Sequence, residues 1–378
     1  MNDRDSIYSL FQPTFGNRPE QYIGRDGVIE QFMEGLREPV GSRNRCTLFL
    51  GQRGMGKTAL LLELSDRAQK AGYVVARVTA HEGMPGAIIE QFQLNGSQYF
   101  SDDKRKVTGV SAGVLGFSFG LTFSEAAQKQ YGFRSKMSLI CDKLAEKGKG
   151  ALILIDEVRT SAAMRDVASS YQELVGDRKN IAIAMAGLPH AVSSVLNDKV
   201  LTFLNRATKV ELGLISTNLI RAYYDRAFRS AGIAISDALL DRAALSTRGF
   251  PYLMQLIGYY VIQYAGVDGT VTEGMMDKAE KAAMKDMEDN VFKPILSPLS
   301  DNDRLFLRAL AKCGGTVTTA RLQAVLGKKG PAIQPYRKRL IEAGVIEAPR
   351  RGELVLAVPY LEDYLKRGES LTTKPRKS

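Results

Sequence analysis

Eight consecutive residues, Gly51-Gln52-Arg53-Gly54-Met55-Gly56-Lys57-Thr58, have the types and order that hold a phosphate. An apolar run, Cys46-Thr47-Leu48-Phe49-Leu50, precedes them, and a helical run from Ala59 to Leu64 follows. Strand, glycine-rich loop and helix is the context in which backbone N–H groups converge on an anion. Glycines let the chain curl, and the following helix aims its positive dipole end at the same point. In such a loop Gly51, Gln52, Arg53, Gly54, Met55 and Gly56 supply the cradle. Lys57 reaches the β- and γ-phosphates and the Thr58 hydroxyl sits on Mg²⁺. The expected ligands are therefore ATP and Mg²⁺. A second constellation matches the first. Ala151-Leu152-Ile153-Leu154-Ile155 is a continuous apolar run, as in a strand buried on both faces of a parallel sheet, and it ends in Asp156-Glu157. Ligands meet such sheets at their strand C-termini. There Asp156 would hold the metal and Glu157 would orient and polarise an attacking water.

The elements that must position these groups can be read on either side. A helix over about Asp26–Leu36 would place Val28, Ile29, Phe32, Met33 and Leu36 on one face. The helix after the glycine-rich loop ends near Lys70, with Gly72 as its stop, and Tyr73–Val78 reads as a strand. Residues 83–135 are the least readable. Within them Leu115, Phe117, Phe119, Leu121 and Phe123 alternate with small residues, a period of two that reads as one arm of a hairpin begun at Val107–Val110. That hairpin, about 100–130, with Lys104-Arg105-Lys106 at its base, is either an arm for DNA or a neighbouring subunit, or is packed on its own domain. Met137, Ile140, Cys141 and Leu144 mark a further helix, and Ile181–Gly187 a further buried strand. A helix over about Ala191–Asn205 leads to Arg206 and a short strand, Thr208–Leu212. Arg206 there can satisfy its own helix end.

Residues 213–290 read as all helix, with Ser216, Ser236 and Thr272 as caps and Gly249-Phe250-Pro251 as a break before a helix from Tyr252 to Tyr264. Residues 297–367 run helix, helix, helix, β-wing. Ser300 starts the first helix and Thr318 or Thr319 the second. Pro335 opens the third, which carries Arg337, Lys338 and Arg339. Pro349-Arg350-Arg351-Gly352 forms the hairpin tip. In such a module the third helix enters the major groove and the tip reaches phosphates or the minor groove. Consecutive residues sit about 100° apart on a helix, so Arg337, Lys338 and Arg339 cannot all face DNA. Charge agrees with a polyanionic partner. The chain carries a formal +11, and residues 297–378 hold 16 lysines and arginines against 8 aspartates and glutamates, an excess of +8. The alternative is a solubilising surface, or a wing used for protein contacts.

The length of 378 residues suffices for two or three domains, and 44% hydrophobic with 25% charged residues is ordinary for a soluble protein. No apolar run could span a bilayer, and Met1–Asp5 is no secretory signal, so no membrane partner is expected. The scattered Cys46, Cys141 and Cys313 fit a reducing cytoplasm, and two histidines, His81 and His190, argue against a histidine metal site.

Taken together, the motifs resemble those of AAA+ and STAND ATPases and of the related archaeal origin-recognition-type initiators, over about residues 15–365. Gly51–Thr58 and Ala151–Glu157 match Walker A and Walker B. Tyr22-Ile23-Gly24-Arg25 resembles the short "GR" box, which in those families lies against the adenine. Gly249-Phe250-Pro251 resembles their "GxP" signature, whose proline, here Pro251, approaches the base. Arg206 stands where such ATPases place an arginine finger. Two departures lean toward STAND: the strand ending in Ala186-Gly187 offers no polar sensor, and only Arg248 lies near the position of a second sensor. The resemblance implies an α/β P-loop NTPase with an AAA+/STAND-like parallel sheet and flanking helices, an all-α lid, and a C-terminal winged helix-turn-helix. The expected division is 1–212 (ATPase, with the inserted hairpin), 213–292 (lid), 293–367 (winged helix) and 368–378 (a disordered basic tail). The implied activity is ATP hydrolysis, fast or switch-like, tied to DNA binding and to homo-oligomer assembly when ATP is bound. Two other readings remain open: a signalling or scaffold switch whose winged helix binds protein, and an accessory ATPase of transposition or phage defence.

Overall fold

The computed structural model describes residues 10–14, 22–100, 132–328 and 330–370. The expected hairpin at about 100–130, with Lys104-Arg105-Lys106, and residues 371–378 of the expected tail lie outside the described residues. The chain divides into two compact units. One comprises Arg25–Gly51 and Lys57–Leu212; the other comprises Met1–Gly24, Gln52–Gly56 and Gly213–Ser378.

The first unit is built on five parallel strands. Its elements are α1 (Asp26–Arg37), β1 (Cys46–Leu50), α2 (Lys57–Lys70), β2 (Tyr73–Thr79), α3 (Met84–Asn95), α4 (Phe133–Glu146), β3 (Gly150–Asp156), α5 (Ala162–Gly176), β4 (Ile181–Gly187), α6 (Pro189–Leu196) and β5 (Thr208–Glu211). The strand order is β2-β3-β4-β1-β5, and every pairing is parallel. The period of two decides what each face meets. Leu48, Val74, Ala76, Ala151, Ile153, Ile155, Ile183 and Met185 join one buried cluster with Ile88 and Phe92 of α3, Met137 and Ile140 of α4, and Val167 and Leu174 of α5. Phe49 points the other way, against Phe32 of α1, with ring centroids 6.1 Å apart. Both faces are covered, which is why β3 and β4 are apolar without alternation.

Two of the helices named above, α3 and α5, were not assigned from the sequence. α3 begins Met84-Pro85-Gly86, a start that looks like a turn, yet Pro85 sits in the first turn where no N–H bond is lost. α5 carries an ordinary signal: the Ser161 hydroxyl accepts from Met164 N at 3.0 Å, and Met164, Val167, Ala168, Tyr171 and Leu174 share the buried face. The helix expected over Ala191–Asn205 is shorter. It stops at Leu196, and a 3₁₀ turn forms at Thr202–Arg206. Asp198 ends it, because its carboxylate accepts from Val200 N at 2.9 Å and pairs with Arg165 at 2.8 Å.

The second unit contains α7 (Thr217–Ser230), α8 (Asp237–Ser246), α9 (Pro251–Tyr264), α10 (Glu273–Met287), α11 (Asp301–Cys313), β6 (Val317–Thr318), α12 (Thr319–Leu326), α13 (Gly330–Glu342), β7 (Ile346–Glu347), β8 (Glu353–Leu356) and α14 (Leu361–Ser370). Ser236, Thr272 and Thr318 cap their helices through side-chain oxygens. Ser216 occupies its cap position without such a bond. Ser300 and Asp303 form a reciprocal capping box. Pro335 does not open α13; it lies inside it. Without an N–H it cannot bond the carbonyl of Pro331. The strands form an antiparallel sheet in the order β6-β8-β7. Three helices followed by a β-hairpin is the winged-helix arrangement. α14 was not assigned from the sequence, and it makes residues 368–370 helical where a disordered tail was expected.

The N-terminal segment is part of this unit's core. Phe11 is 1% exposed and meets Tyr223, Tyr224 and Phe228 at centroid distances of 5.4, 5.7 and 5.8 Å. Gly258 of α9 makes room for it, since a Cβ there would overlap the ring, 2.6 Å from Cζ. The backbone is pinned on both sides: Tyr223 donates to Leu10 O at 3.1 Å and Gln255 accepts from Gln12 N at 3.1 Å. Farther along the chain, the Arg248 guanidinium lies 3.6 Å over the Tyr360 ring and pairs with Asp363 at 3.3 Å. No helix among the described residues is long and apolar enough to cross a membrane.

Candidate nucleotide site

Parallel pairing brings the C-terminal ends of β1, β3 and β4 to one edge of the sheet. Gly51 follows β1, and its N–H donates to Gly187 O at 3.3 Å, at the end of β4. Lys57 opens α2, and its Nζ donates back to Gly51 O at 2.9 Å. The ammonium is thereby held at the end of β1. The next residue, Thr58, donates from Oγ1 to Asp156 Oδ2 at 2.6 Å. Asp156 is the last residue of β3, and its Oδ1 accepts from Glu157 N at 2.9 Å. The residues flanking Asp156 are fixed by the neighbouring strand ends: Ala80 N donates to Asp156 O, and Val158 N to Ala186 O, each at 2.9 Å. Glu157 is exposed and has φ +53°, a left-handed conformation uncommon outside glycine. Such departures cluster at functional sites, where surrounding structure holds them.

A hydroxyl and a carboxylate 2.6 Å apart are hard oxygen donors of the kind Mg²⁺ takes. The loop is likewise suited to an anion. Gly54 and Gly56 have φ +78° and +79°, and a Cβ at Gly56 would meet nothing within 4 Å. The residues present thus fit a nucleotide phosphate chain with its metal.

The loop segment Gln52–Gly56 packs within the second unit. Arg53 is exposed and Met55 buried; Met55 N closes a turn on Gln52 O at 3.3 Å. The Phe250 ring lies against Gly54, so that a Cβ there would come within 2.9 Å of Cε1 and 3.2 Å of Cε2. Phe250 belongs to Gly249-Phe250-Pro251, and Pro251 is the first residue of α9. Gly249 has φ +74°, its N–H bonds the Thr247 hydroxyl at 3.0 Å, and a Cβ on it would lie 2.5 Å from Ile215 O.

Ile215 is also the neighbour of Gly24, whose φ is +67° and whose added Cβ would lie 3.3 Å from Ile215 Cγ2 and 3.6 Å from Leu219 Cδ1. The structure therefore brings Gly24 and Gly249 around one apolar spot, with Ile23 beside it in the chain. Leu214 and Leu219 there are 54% and 48% exposed. Leu214 and Ile215 were not singled out from the sequence. Their signal is an apolar pair immediately before the Ser216 cap position, which reads first as a helix entry. Arg25 belongs to the first unit, and burial lowers its guanidinium pKa from the ordinary value.

Arg206 ends the 3₁₀ turn, is exposed, and forms no ion pair among the described residues. The end of β4 is as apolar as the sequence implied; it contributes only carbonyls.

The basic residues of the winged helix divide. Arg339 pairs with buried Asp303 at 2.7 Å and lies 5.1 Å from the Tyr336 ring. Burial pushes the Asp303 carboxyl up, but bonds from Arg339 and Ser300 outweigh it and hold the group below its usual value. Lys338 is exposed, with Glu342 at 3.9 Å one turn on, and Arg337 is half-buried. Arg350 and Arg351 are exposed at the β7–β8 tip, where Glu353 N closes the turn on Arg350 O at 3.1 Å.

Comparison with known proteins gives three results. A family model described only as a domain of unknown function, DUF8462, matches residues 289–365. No curated protein matches the chain. Among solved structures, the Walker-type ATPase PABY2304 of Pyrococcus abyssi is similar with a TM-score of 0.69 at 15% identity, over 94% of this chain and 99% of that one. The ORC2 protein of Aeropyrum pernix, solved in ADPNP–ADP complexes, is similar with a TM-score of 0.60 at 13% identity, over 95% of this chain and 98% of that one. The chain has the P-loop NTPase fold of Walker-type and archaeal origin-recognition ATPases, with a winged helix at its C-terminal end.

Proposed function

We propose that this protein binds ATP with Mg²⁺, hydrolyses it, and uses nucleotide state to govern DNA binding by its winged helix. The observation that carries the reading is the meeting of Lys57 with Gly51 O and of Thr58 with Asp156 at the C-terminal edge of a parallel sheet. Backbone N–H groups of 51–56 would grip the phosphates, and Lys57 would compensate charge that develops on the γ-phosphate. Thr58 and Asp156 would hold Mg²⁺, which when bound neutralises charge on the phosphate oxygens. Glu157 would orient and polarise the attacking water, and its exposure leaves it accessible to solvent. Ile23, Gly24, Arg25 and Pro251 would receive the base, with Ile215, Leu214 and Leu219 as its apolar bed. Arg206 would act on a neighbouring subunit's nucleotide in an ATP-bound oligomer; its exposure and lack of an ion pair among the described residues support this. Arg350, Arg351, Lys338 and Arg337 would meet DNA, and Arg339 would serve chiefly to fix α13 through Asp303. The proposed division is ATPase, lid and winged helix at about 1–212, 213–292 and 293–367, with the segment around Phe11 packed in the core of the lid, in a cytoplasmic protein.

The test is a titration of a ribose-labelled fluorescent ATP with Mg²⁺, with phosphate release followed in parallel. Lys57→Ala should abolish binding. Glu157→Gln should bind as the parent does and lose turnover by about 10²-fold or more. Normal turnover by Glu157→Gln would remove that residue from the mechanism. Unchanged ATP binding by Lys57→Ala would overturn the site.

A further inference from the structure

The loop that should grip the phosphates is tied by a side chain to the β-wing. Gln52 follows Gly51 directly, yet its side chain is 5% exposed and its Nε2 donates to Glu347 Oε1 at 2.6 Å. Bonds to a carboxylate are shorter and stronger than those between neutral groups. The partner comes from 295 residues away along the chain. Glu347 is the last residue of β7 and is paired in register with Val355 of β8, so the hairpin that carries Arg350 and Arg351 carries this contact too. At the other end, Gln52 O accepts from Met55 N. Holding Gln52 therefore holds the turn whose following amides must face the phosphates.

We infer that Glu347 is a positioning residue of the nucleotide site, acting through Gln52: it keeps the phosphate loop in an arrangement that an incoming triphosphate must break. This rests on the nucleotide reading above. Two physical arguments set its direction. A carboxylate bound to the phosphate loop places negative charge beside the ground a polyanion would occupy, and like charges repel more strongly near a protein surface than in bulk water. The loop is also fixed by a bond that phosphate binding does not itself supply, so rearranging it draws on nucleotide binding energy. Coupling of this kind is reciprocal. If the contact weakens nucleotide binding, nucleotide weakens the contact and frees the hairpin that presents Arg350 and Arg351. Nucleotide state would then reach the DNA-facing tip directly, without passing through the helices of 213–292.

The experiment uses the full chain and four proteins: parent, Gln52→Ala, Glu347→Ala and the double variant. Fluorescent ATP with Mg²⁺ is titrated into each. Each single variant should bind about fivefold tighter or more, and the double variant no tighter than the singles, because both remove one contact. Glu347→Gln keeps the hydrogen-bonding shape without the charge and should lie between; it also serves if Glu347→Ala fails to fold. A second readout is hydrogen exchange at Ile346–Glu347 and Glu353–Leu356. ATP should speed exchange there in the parent and leave Glu347→Ala unchanged, a response that a purely structural residue would not give. Unchanged or weaker binding by both single variants, or additive effects in the double, would overturn the inference while leaving the nucleotide site intact. Absence of binding in all proteins would instead overturn the nucleotide reading and the inference with it.

Discussion

Gly54 and Gly56 invite a direct comparison, because their backbones are alike and their surroundings are not. Both have φ near +80°, where any residue with a Cβ pays roughly 1–2 kcal/mol. At Gly56 that is the whole expected cost of alanine, since no atom lies within 4 Å of the new methyl. At Gly54 the methyl would overlap the Phe250 ring, 2.9 Å from Cε1 and 3.2 Å from Cε2. Phe250 is fully buried and cannot swing into solvent. Overpacking of this kind adds about 1–3 kcal/mol, so Gly54→Ala should be the more damaging by that amount. The assay is reversible denaturation of both single variants, followed by Phe250→Leu in each background. Leucine shortens the side chain facing residue 54. It should recover about 1–2 kcal/mol with Gly54→Ala and nothing with Gly56→Ala, a coupling that a double-mutant cycle resolves. Equal destabilisation by the two alanines, or equal rescue by Phe250→Leu, would refute the steric argument.

Phe11→Ala should cost about 3–5 kcal/mol of stability by denaturant unfolding, the usual loss for a fully buried phenylalanine. The Asp303 carboxyl is held below its usual value in the folded protein, so its stabilising contribution is complete above the unfolded pKa of about 3.9 and is lost as pH falls through the folded pKa. Thermal melts should therefore show a fall in stability below about pH 4 that Asp303→Asn lacks. Arg350→Ala/Arg351→Ala should lower the slope of log DNA affinity against log salt by about two, if each arginine meets one phosphate; an unchanged slope would favour a protein partner for the wing.

What could be read from the sequence was whatever is local. Lys57, Thr58 and the Asp156-Glu157 pair are legible because each motif is contiguous and sits at the end of an apolar run. The parallel order of the sheet then brings Thr58 and Asp156 within 2.6 Å. The caps at Ser236, Thr272 and Ser300 were legible for the same reason. α3 escaped because Pro85-Gly86 reads as a turn when it stands at the head of a helix. α5 carries both a cap at Ser161 and a helical period from Met164 to Leu174. Contacts across hundreds of residues leave no local trace. Nothing near Gln52 points to Glu347, and nothing near Phe11 points to Tyr223 or Gly258. The ion pair that gives Arg339 a structural task was equally hidden, because Asp303 looks from the sequence like a helix-start residue alone.

The seating of Phe11 has a consequence for how the protein can be made and cut. Its ring is enclosed by residues that the ribosome supplies more than two hundred positions later, ending with Gly258. At typical synthesis speeds of about 5–20 residues per second, the first segment must wait roughly 12–50 s for its bed. A fragment ending at Leu212 would never receive it and would display a bare phenylalanine, while a fragment beginning at Gly213 would keep an empty aromatic socket. The segment around Phe11 and the helices that enclose it are companions in one core, although the strands of the other unit are made between them.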